Sequence, residues 1–256
     1  MENLDLVAGA SHHWQMRDVG DDLDKYGYMV GASYTFTEDL IFRLSHAQKI
    51  RMPSIRQLYD SSAGDTTLKP EESKNYEAGL AIGLPWGMDL DLGVFLSDVK
   101  NYIEKDSITN KFANNDEYRF KGFEARLSKS FLDTGKIGIS YSLLKTKDKS
   151  ANTQKDELHY RPEHKVVLDA VYTFGFGLTA SADVTYIGEQ VFYSATYAKG
   201  TLDDYTVVNL RLEQTFYKDK FSVYIGADNL FDENYQESYG FPQPGRTAYA
   251  GLSFRF

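Results

Sequence analysis

Apolar residues in this chain recur at every second position, in one segment after another. Met88, Leu90, Leu92, Val94 and Leu96 fall on one side of an extended strand, with Asp89, Asp91, Gly93 and Ser97 on the other. The same alternation sets Ile137, Ile139, Tyr141 and Leu143 against Gly138, Ser140 and Ser142. It recurs at the end of the chain, where Ala248, Ala250, Leu252, Phe254 and Phe256 oppose Thr247, Tyr249, Gly251, Ser253 and Arg255. A period of two is the strand period, because successive side chains leave on opposite faces. Twelve such segments span roughly 3–16, 24–37, 39–49, 73–84, 87–105, 117–131, 136–147, 162–174, 177–192, 203–217, 220–232 and 246–256. No stretch of useful length carries a helical period.

The connections alternate as well. Thr37-Glu38-Asp39, Pro85-Trp86-Gly87, Leu132 to Gly135, Gly175-Phe176-Gly177 and Lys218-Asp219-Lys220 are tight turns. Between them lie long polar loops near 17–23, 50–72, 106–116, 148–161, 193–202 and 233–245. Short turns on one rim and long loops on the other predict an antiparallel up-and-down barrel of the outer-membrane kind, with its short turns in the periplasm. In that layout the first strand runs outward and the last ends at the periplasmic rim.

A soluble β-sandwich would alternate too, so strand length and face chemistry must decide. A tilted membrane crossing takes ~9–11 residues, whereas globular strands average ~5–6; most segments here match the first figure. The polar faces carry small or charged residues such as Asp89, Asp91, Asp183, Asn209, Arg211 and Arg255, as a wet or plugged lumen requires. Trp14, Phe36, Trp86, Phe131, Phe174 and Phe254 gather near strand ends, where amphipathic rings suit the headgroup level. Hydrophobic residues make up 42% of the chain, yet no uninterrupted apolar run approaches the ~20 residues of a membrane helix. The membrane barrel is therefore favoured over a soluble β-fold.

Composition narrows the function. The formal charge of −9 without a basic stripe argues against nucleic acid as a partner. With no cysteine there is neither a disulfide framework nor a thiolate metal site. Met1-Glu2 runs straight into LDLVAGAS with no apolar signal region, so an exported form would need a signal from outside this chain.

Two long stretches carry a family resemblance. The end of the chain, YIGADNLFDENYQESYGFPQPGRTAYAGLSFRF, resembles the end of TonB-dependent outer-membrane receptors. Asn229, Leu230, Phe231, Asp232 and Tyr235 match an element that closes the penultimate strand. Pro244, Gly245 and Arg246 open the final strand, which finishes on Phe256. Upstream, RMPSIRQLYDSSAGDTTLKPEESKNYEAGL is similar to a second region of the same family, through Arg51, Pro53, Leu58, Tyr59, Leu68, Lys69, Pro70, Glu71, Ser73, Tyr76, Glu77 and Gly79. Asp65 stands where the family usually has Asn.

The resemblance implies a transmembrane barrel wall, residues 1–256 forming one barrel region, in the bacterial outer membrane. It implies a receptor or transporter and not an enzyme, for a metal chelate such as a ferric siderophore, haem or cobalamin, with no resident cofactor. Family barrels have about twenty-two strands and a plugged lumen, and TonB acts on them through the plug domain. This chain shows neither a plug nor more than about twelve strands, so it is expected either to close on itself or to be half of a larger barrel. Alone it is not expected to couple to TonB. A passive channel and a rim hydrolase are the alternatives, although no G-x-S-x-G elbow is present.

The resemblance also gives residue roles. Tyr249, Gly251, Phe254 and Phe256 match the terminal-strand signal read by the barrel-assembly machinery; outer-membrane lipid is the other constant partner. Arg51 and Tyr59 lie in the longest outer loop, and Tyr193, Tyr197, Tyr235 and Tyr239 in others, where a ligand would enter. For Arg51 to Tyr59 the competing role is packing the loop over the barrel mouth. His12 and His13 are neighbours on a strand and point to opposite faces, so they cannot hold one metal ion together. His46, His159 and His164 are scattered, and no metal ligand is expected.

Overall fold

In the computed structural model of the protein, residues 3–106, 109–131, 134–151, 153–194, 196, 198–216 and 220–255 are described. The chain order is β1 (Leu4–Gln15), β2 (Leu23–Thr37), β3 (Leu40–Arg51), α1 (Ile55–Tyr59), β4 (Glu71–Leu84), β5 (Met88–Lys105), β6 (Phe112–Phe131), β7 (Gly135–Asp148) and β8 (His164–Thr173). It continues with β9 (Leu178–Gly188), β10 (Gln190–Tyr193), β11 (Lys199–Leu202), β12 (Tyr205–Phe216), β13 (Phe221–Asp228), β14 (Gln236–Ser238), β15 (Phe241–Pro242) and β16 (Thr247–Phe254). Twelve strands form one antiparallel sheet in chain order, and the pairs β10–β11 and β14–β15 are small hairpins set into the long connections.

The ladders convert the sequence alternation into two continuous faces. Leu6, Ala32, Leu44, Ala78, Val94, Phe123 and Leu143 are successive cross-strand partners from β1 to β7. Tyr172, Ala180, Leu212, Ile225 and Ala250 continue an apolar row from β8 to β16. One residue away on every strand lies the opposite face, where Asp5, Ser33, Arg43, Gly79, Gly93, Glu124, Ser142 and Lys165 are partners in turn. The apolar face is not covered by protein: Leu6 is 74% exposed, Val94 52% and Leu252 72%. Apolar surface on this scale is stable only against another apolar medium. No described helix is long and apolar enough to cross a membrane.

The turns follow from local chemistry. Between β4 and β5, Trp86 and Gly87 both take left-handed backbone angles, φ 64 and 68, which matches the twist of a tight hairpin. The loop between β5 and β6 is shorter than the expected 106–116, because β6 begins at Phe112 and pairs back onto Lys105. Asn114, Asn115 and Asp116 look like loop residues by composition, yet they extend the ladder past the apolar belt, where a strand need not be apolar on either face. Likewise β4 starts at Glu71 and not at Ser73.

β1 pairs only with β2 and β16 only with β13; among the described residues no ladder joins them.

Candidate functional site

The polar face carries a network of fixed charges. The Arg126 guanidinium on β6 donates to Ser140 Oγ on β7 at 2.7 Å and to Asp169 on β8 at 2.8 and 3.1 Å, tying three strands together. Gly138 leaves room for this guanidinium, since a Cβ there would come within 2.5 Å of it and the Arg126 side chain would have to shift. Farther along, Asn209 donates to Asp183, and Arg211 donates to Glu213 while lying 3.9 Å from the Tyr224 ring centre. Such a face is polar and cross-linked between strands, as the lumen side of a membrane barrel is expected to be.

Over the long-loop end of this face lies the segment 52–70. Ser54 caps the five-residue helix α1 and exchanges hydrogen bonds with Gln57, a capping box that fixes the helix start. The helix drives Leu58 inward against Leu68 and Ile103, with Phe112 packed beside them. Pro53, Leu58, Leu68 and Pro70 are among the largest fully buried side chains. Ile103 and Phe112 share the polar-face parity of β5 and β6, so the loop folds inward over the mouth. Lys69 exchanges two hydrogen bonds with the Asn114 side-chain amide, at 2.8 and 3.0 Å. Arg51 grips the buried Glu71 through Nε at 2.6 Å and through Nη2, and Glu71 also accepts the Ile103 amide at 2.7 Å. After the helix, Asp60 Oδ1 accepts from Ser62 N, Ser62 Oγ and Ala63 N, and these bonds hold its carboxyl at about 2.

The other outer connections join this segment in a linked collar. Arg17 donates to Thr66 O, and Tyr59 OH to Val19 O. On the far side His159 Nε2 meets Glu104 Oε1 at 3.0 Å, joining the 149–163 connection to β5. Tyr193 OH accepts from the amides of Asp156 and Glu157. Gln190 donates to Glu237 O, and the Phe192 and Tyr239 rings stack at 4.2 Å.

A sequence signature described as "TonB dependent receptor-like, beta-barrel" matches residues 1–230. The chain belongs to this family. It is an outer-membrane protein of a group of receptors and transporters, not of enzymes. The vitamin B12 transporter BtuB of Vibrio cholerae is 25% identical over 248 residues, covering 92% of this chain and 39% of the transporter. The ferripyoverdine receptor of Pseudomonas aeruginosa superposes with a TM-score of 0.78 at 21% identity, over 98% of this chain and 36% of the receptor. The ferric enterobactin receptor of the same species gives 0.79 at 21% identity, over 100% and 43%. At that identity the two structures show a shared fold. The chain thus spans about two fifths of the length of the curated relatives it matches.

Within this TonB-dependent receptor barrel, the residues picked from sequence fall into three groups. Arg51, Pro53, Leu58, Leu68, Lys69, Pro70 and Glu71 come together in the mouth segment just described. Ser73, Tyr76, Glu77 and Gly79 lie on β4: Tyr76 stacks on His46 at 4.3 Å on the apolar side, and Ser73 bonds Ser97 on the polar side. The second group is the clamp at the end of the chain. Asn229, only 4% exposed and with φ 50, donates to Glu233 O and Pro244 O and accepts from Glu233 N. Leu230 N bonds Val208 O, Phe231 is exposed, and Asp232 Oδ1 accepts Arg246 N at 2.7 Å. A Cβ at Gly245 would lie 2.7 Å from that same oxygen, so a larger residue would have to displace the Asp232 carboxylate. On β16 the Tyr249 ring covers Gly226 and the Tyr224 ring covers Gly251, while Phe254 is exposed. Phe256 lies outside the described residues.

The third group, the loop tyrosines, is dispersed. Tyr59 sits beside Val19, whereas Tyr193 and Tyr239 belong to the β10 and β14 region, and Tyr235 packs on Tyr205 at 4.4 Å. Tyr197 lies outside the described residues. His12 and His13 have separate partners, Asp24 and Ser11. One group that sequence spacing missed is Glu163, His164 and Glu189, whose ligand atoms all lie within 4.8 Å of one another. The pairing of β8 with β9 brings them together; Lys145 holds Glu163 and Tyr141 OH meets His164 Nδ1.

Proposed function

We propose that residues 1–256 are part of the wall and mouth of a TonB-dependent receptor that takes up a metal chelate across the outer membrane. The observation that carries this reading is the sheet itself: an apolar face, uncovered by protein at residues such as Leu6, Val94 and Leu252, backs a polar, charge-lined face capped by interlocked outer loops. Relatives named for vitamin B12, ferripyoverdine and ferric enterobactin supply the cargo class. The two sheet edges cannot stay bare in lipid, where each unpaired backbone group is costly. In this reading further strands complete the wall, and energised import needs a TonB-engaged plug in the same assembly. Arg51, Tyr59, Tyr193, Tyr197, Tyr235 and Tyr239 are its ligand-entrance residues, and Tyr249, Gly251, Phe254 and Phe256 its assembly signal.

The test is accumulation of radiolabelled ferric siderophores, haem and cobalamin by cells that carry the intact protein as their sole transporter of this class. Uptake of one chelate that stops when the proton gradient is collapsed supports the proposal. Gradient-independent leakage of several unrelated solutes would instead identify a passive channel.

A further inference from the structure

The start of β8 and the end of β9 bring together three side chains that the mouth does not use. Glu163, His164 and Glu189 hold their donor atoms within 4.8 Å of one another. His164 pairs with Leu143 and Gly188, so it stands on the outward parity of the sheet. Its Nε2 lies 3.9 Å from Glu163 Oε1 and 3.7 Å from Glu189 Oε1. Both separations are too long for a hydrogen bond, and Nε2 makes none among the described residues. They are close to the ~3.3–3.5 Å between ligand atoms that share one tetrahedral ion at bonds of about 2.0–2.2 Å. The ring is also oriented, because Nδ1 and the Tyr141 hydroxyl lie 2.8 Å apart. In the tautomer that donates Nδ1–H to the tyrosine oxygen, the Nε2 lone pair is left free beside the two carboxylates, as in a metal-bound histidine. Backbone bonds fix the rest. Glu163 N donates to Glu189 O at 3.1 Å, and Glu189, with φ 54, donates its N–H to Asp204 Oδ1 at 2.9 Å. One cation serves the group: Lys145 Nζ is 2.7 Å from Glu163 Oε1, whereas Glu189 has no Lys or Arg partner among the described residues.

We infer that Glu163, His164 and Glu189 form a binding site for a divalent transition-metal ion of the zinc class. The donors are one imidazole nitrogen and two carboxylate oxygens. Such a set suits a borderline ion: it lacks the sulfur that Cu(I) prefers and the many oxygens that calcium takes. Three protein ligands leave a further position for water. Lys145 competes for the same carboxylate. An ion on Glu163 repels the ammonium group, which turns out into water, so the lysine lowers the affinity of the site without supplying a ligand. The bound ion ties the start of β8 to the end of β9, where the 149–163 connection ends and β10 begins. It braces the outer rim and is not the transported solute, so this inference stands apart from the uptake reading.

The experiment titrates Zn²⁺ into the intact protein in detergent, first stripped of metal with a chelator, and reads binding by calorimetry. The variants are His164→Gln, Lys145→Gln and, as a control, His12→Gln, which removes a histidine bonded to the single carboxylate of Asp24. The wild type is expected to bind one ion per chain at this site. His164→Gln should weaken that binding about tenfold or more, since even a lost partner behind a ligand costs about 10–100-fold. Lys145→Gln should tighten it about fivefold or more, because a unit positive charge about 4 Å from the ion is gone. A misfolded variant would not gain affinity, so this arm separates a metal site from a merely structural cluster. His12→Gln should bind as the wild type does. Wild-type binding no tighter than that of His164→Gln overturns the inference. So does an equal loss in His12→Gln, which would show unspecific binding to histidines, or unchanged or weaker binding in Lys145→Gln, which would show that Glu163 is no ligand.

Discussion

At the scale of single residues, the end of the chain depends on Asn229. Its side-chain amide makes three hydrogen bonds that join the top of β13 to the approach of β16. It does so from a left-handed backbone that Asn tolerates and Ala disfavours by roughly 1–2 kcal/mol. With each bond contributing about 0.5–1.5 kcal/mol, Asn229→Ala should destabilise by about 3 kcal/mol, read from urea unfolding in a bilayer. A loss below about 1 kcal/mol would mean the clamp is redundant. Asp60 gives a pH prediction. Its carboxyl is depressed from 3.8 to about 2 by hydrogen bonds from Ser62 and Ala63, so their stabilisation is complete above the unfolded value. It is lost as pH falls from about 4 toward 2. Amide-exchange protection at Ser62 and Ala63 should fall in that window; constant protection would contradict it. Motif residues such as Asn229 and Glu71 stood out in the sequence, but their partners did not. Glu71 finds Ile103 thirty-two positions away, a meeting decided only by strand register.

At the scale of elements, alternation located the twelve strands because one face of each must be apolar for lipid. It failed where that demand ends. The upper part of β6 lies past the apolar belt, so Asn114 to Asp116 carry no signal of a strand. Helix α1 has five residues, too few to show a helical period; the one trace it leaves is the Ser54 and Gln57 capping box. The mouth segment built on it has a small core that it shares with the outer ends of β5 and β6, away from the apolar belt. Leu58→Ala should therefore cost about 2–5 kcal/mol locally and leave the sheet intact. Hydrogen exchange should rise at Asp65 and Leu68, whose amides bond back to Gln57 and Asp65 within the segment, while β5 amides in the apolar belt stay protected. Faster exchange throughout β5 would show that the segment and the sheet unfold as one.

At the scale of the whole molecule, the two faces were legible from sequence, but the closure of the wall was not, because strand edges leave no mark on side-chain pattern. Adjacent residues on β5 test whether the faces are assigned correctly. Leu92 pairs with Leu80 and Ala125 within the apolar belt, and Gly93 pairs with Gly79 and Glu124 on the polar face. A Cβ at Gly93 meets nothing within 4 Å, so a larger side chain has room. Arginine facing the bilayer interior costs about 2–4 kcal/mol near the midplane, whereas a lumen position tolerates it. Leu92→Arg should thus destabilise the protein in lipid bilayers by about 2–4 kcal/mol. Gly93→Arg should change stability by less than about 1 kcal/mol, because its side chain enters water beside Glu124 and meets no lipid. The pair shares a strand, a depth and an added charge, so only the face differs. Equal penalties, or the reverse order, would show that the apolar face of the sheet does not meet the membrane.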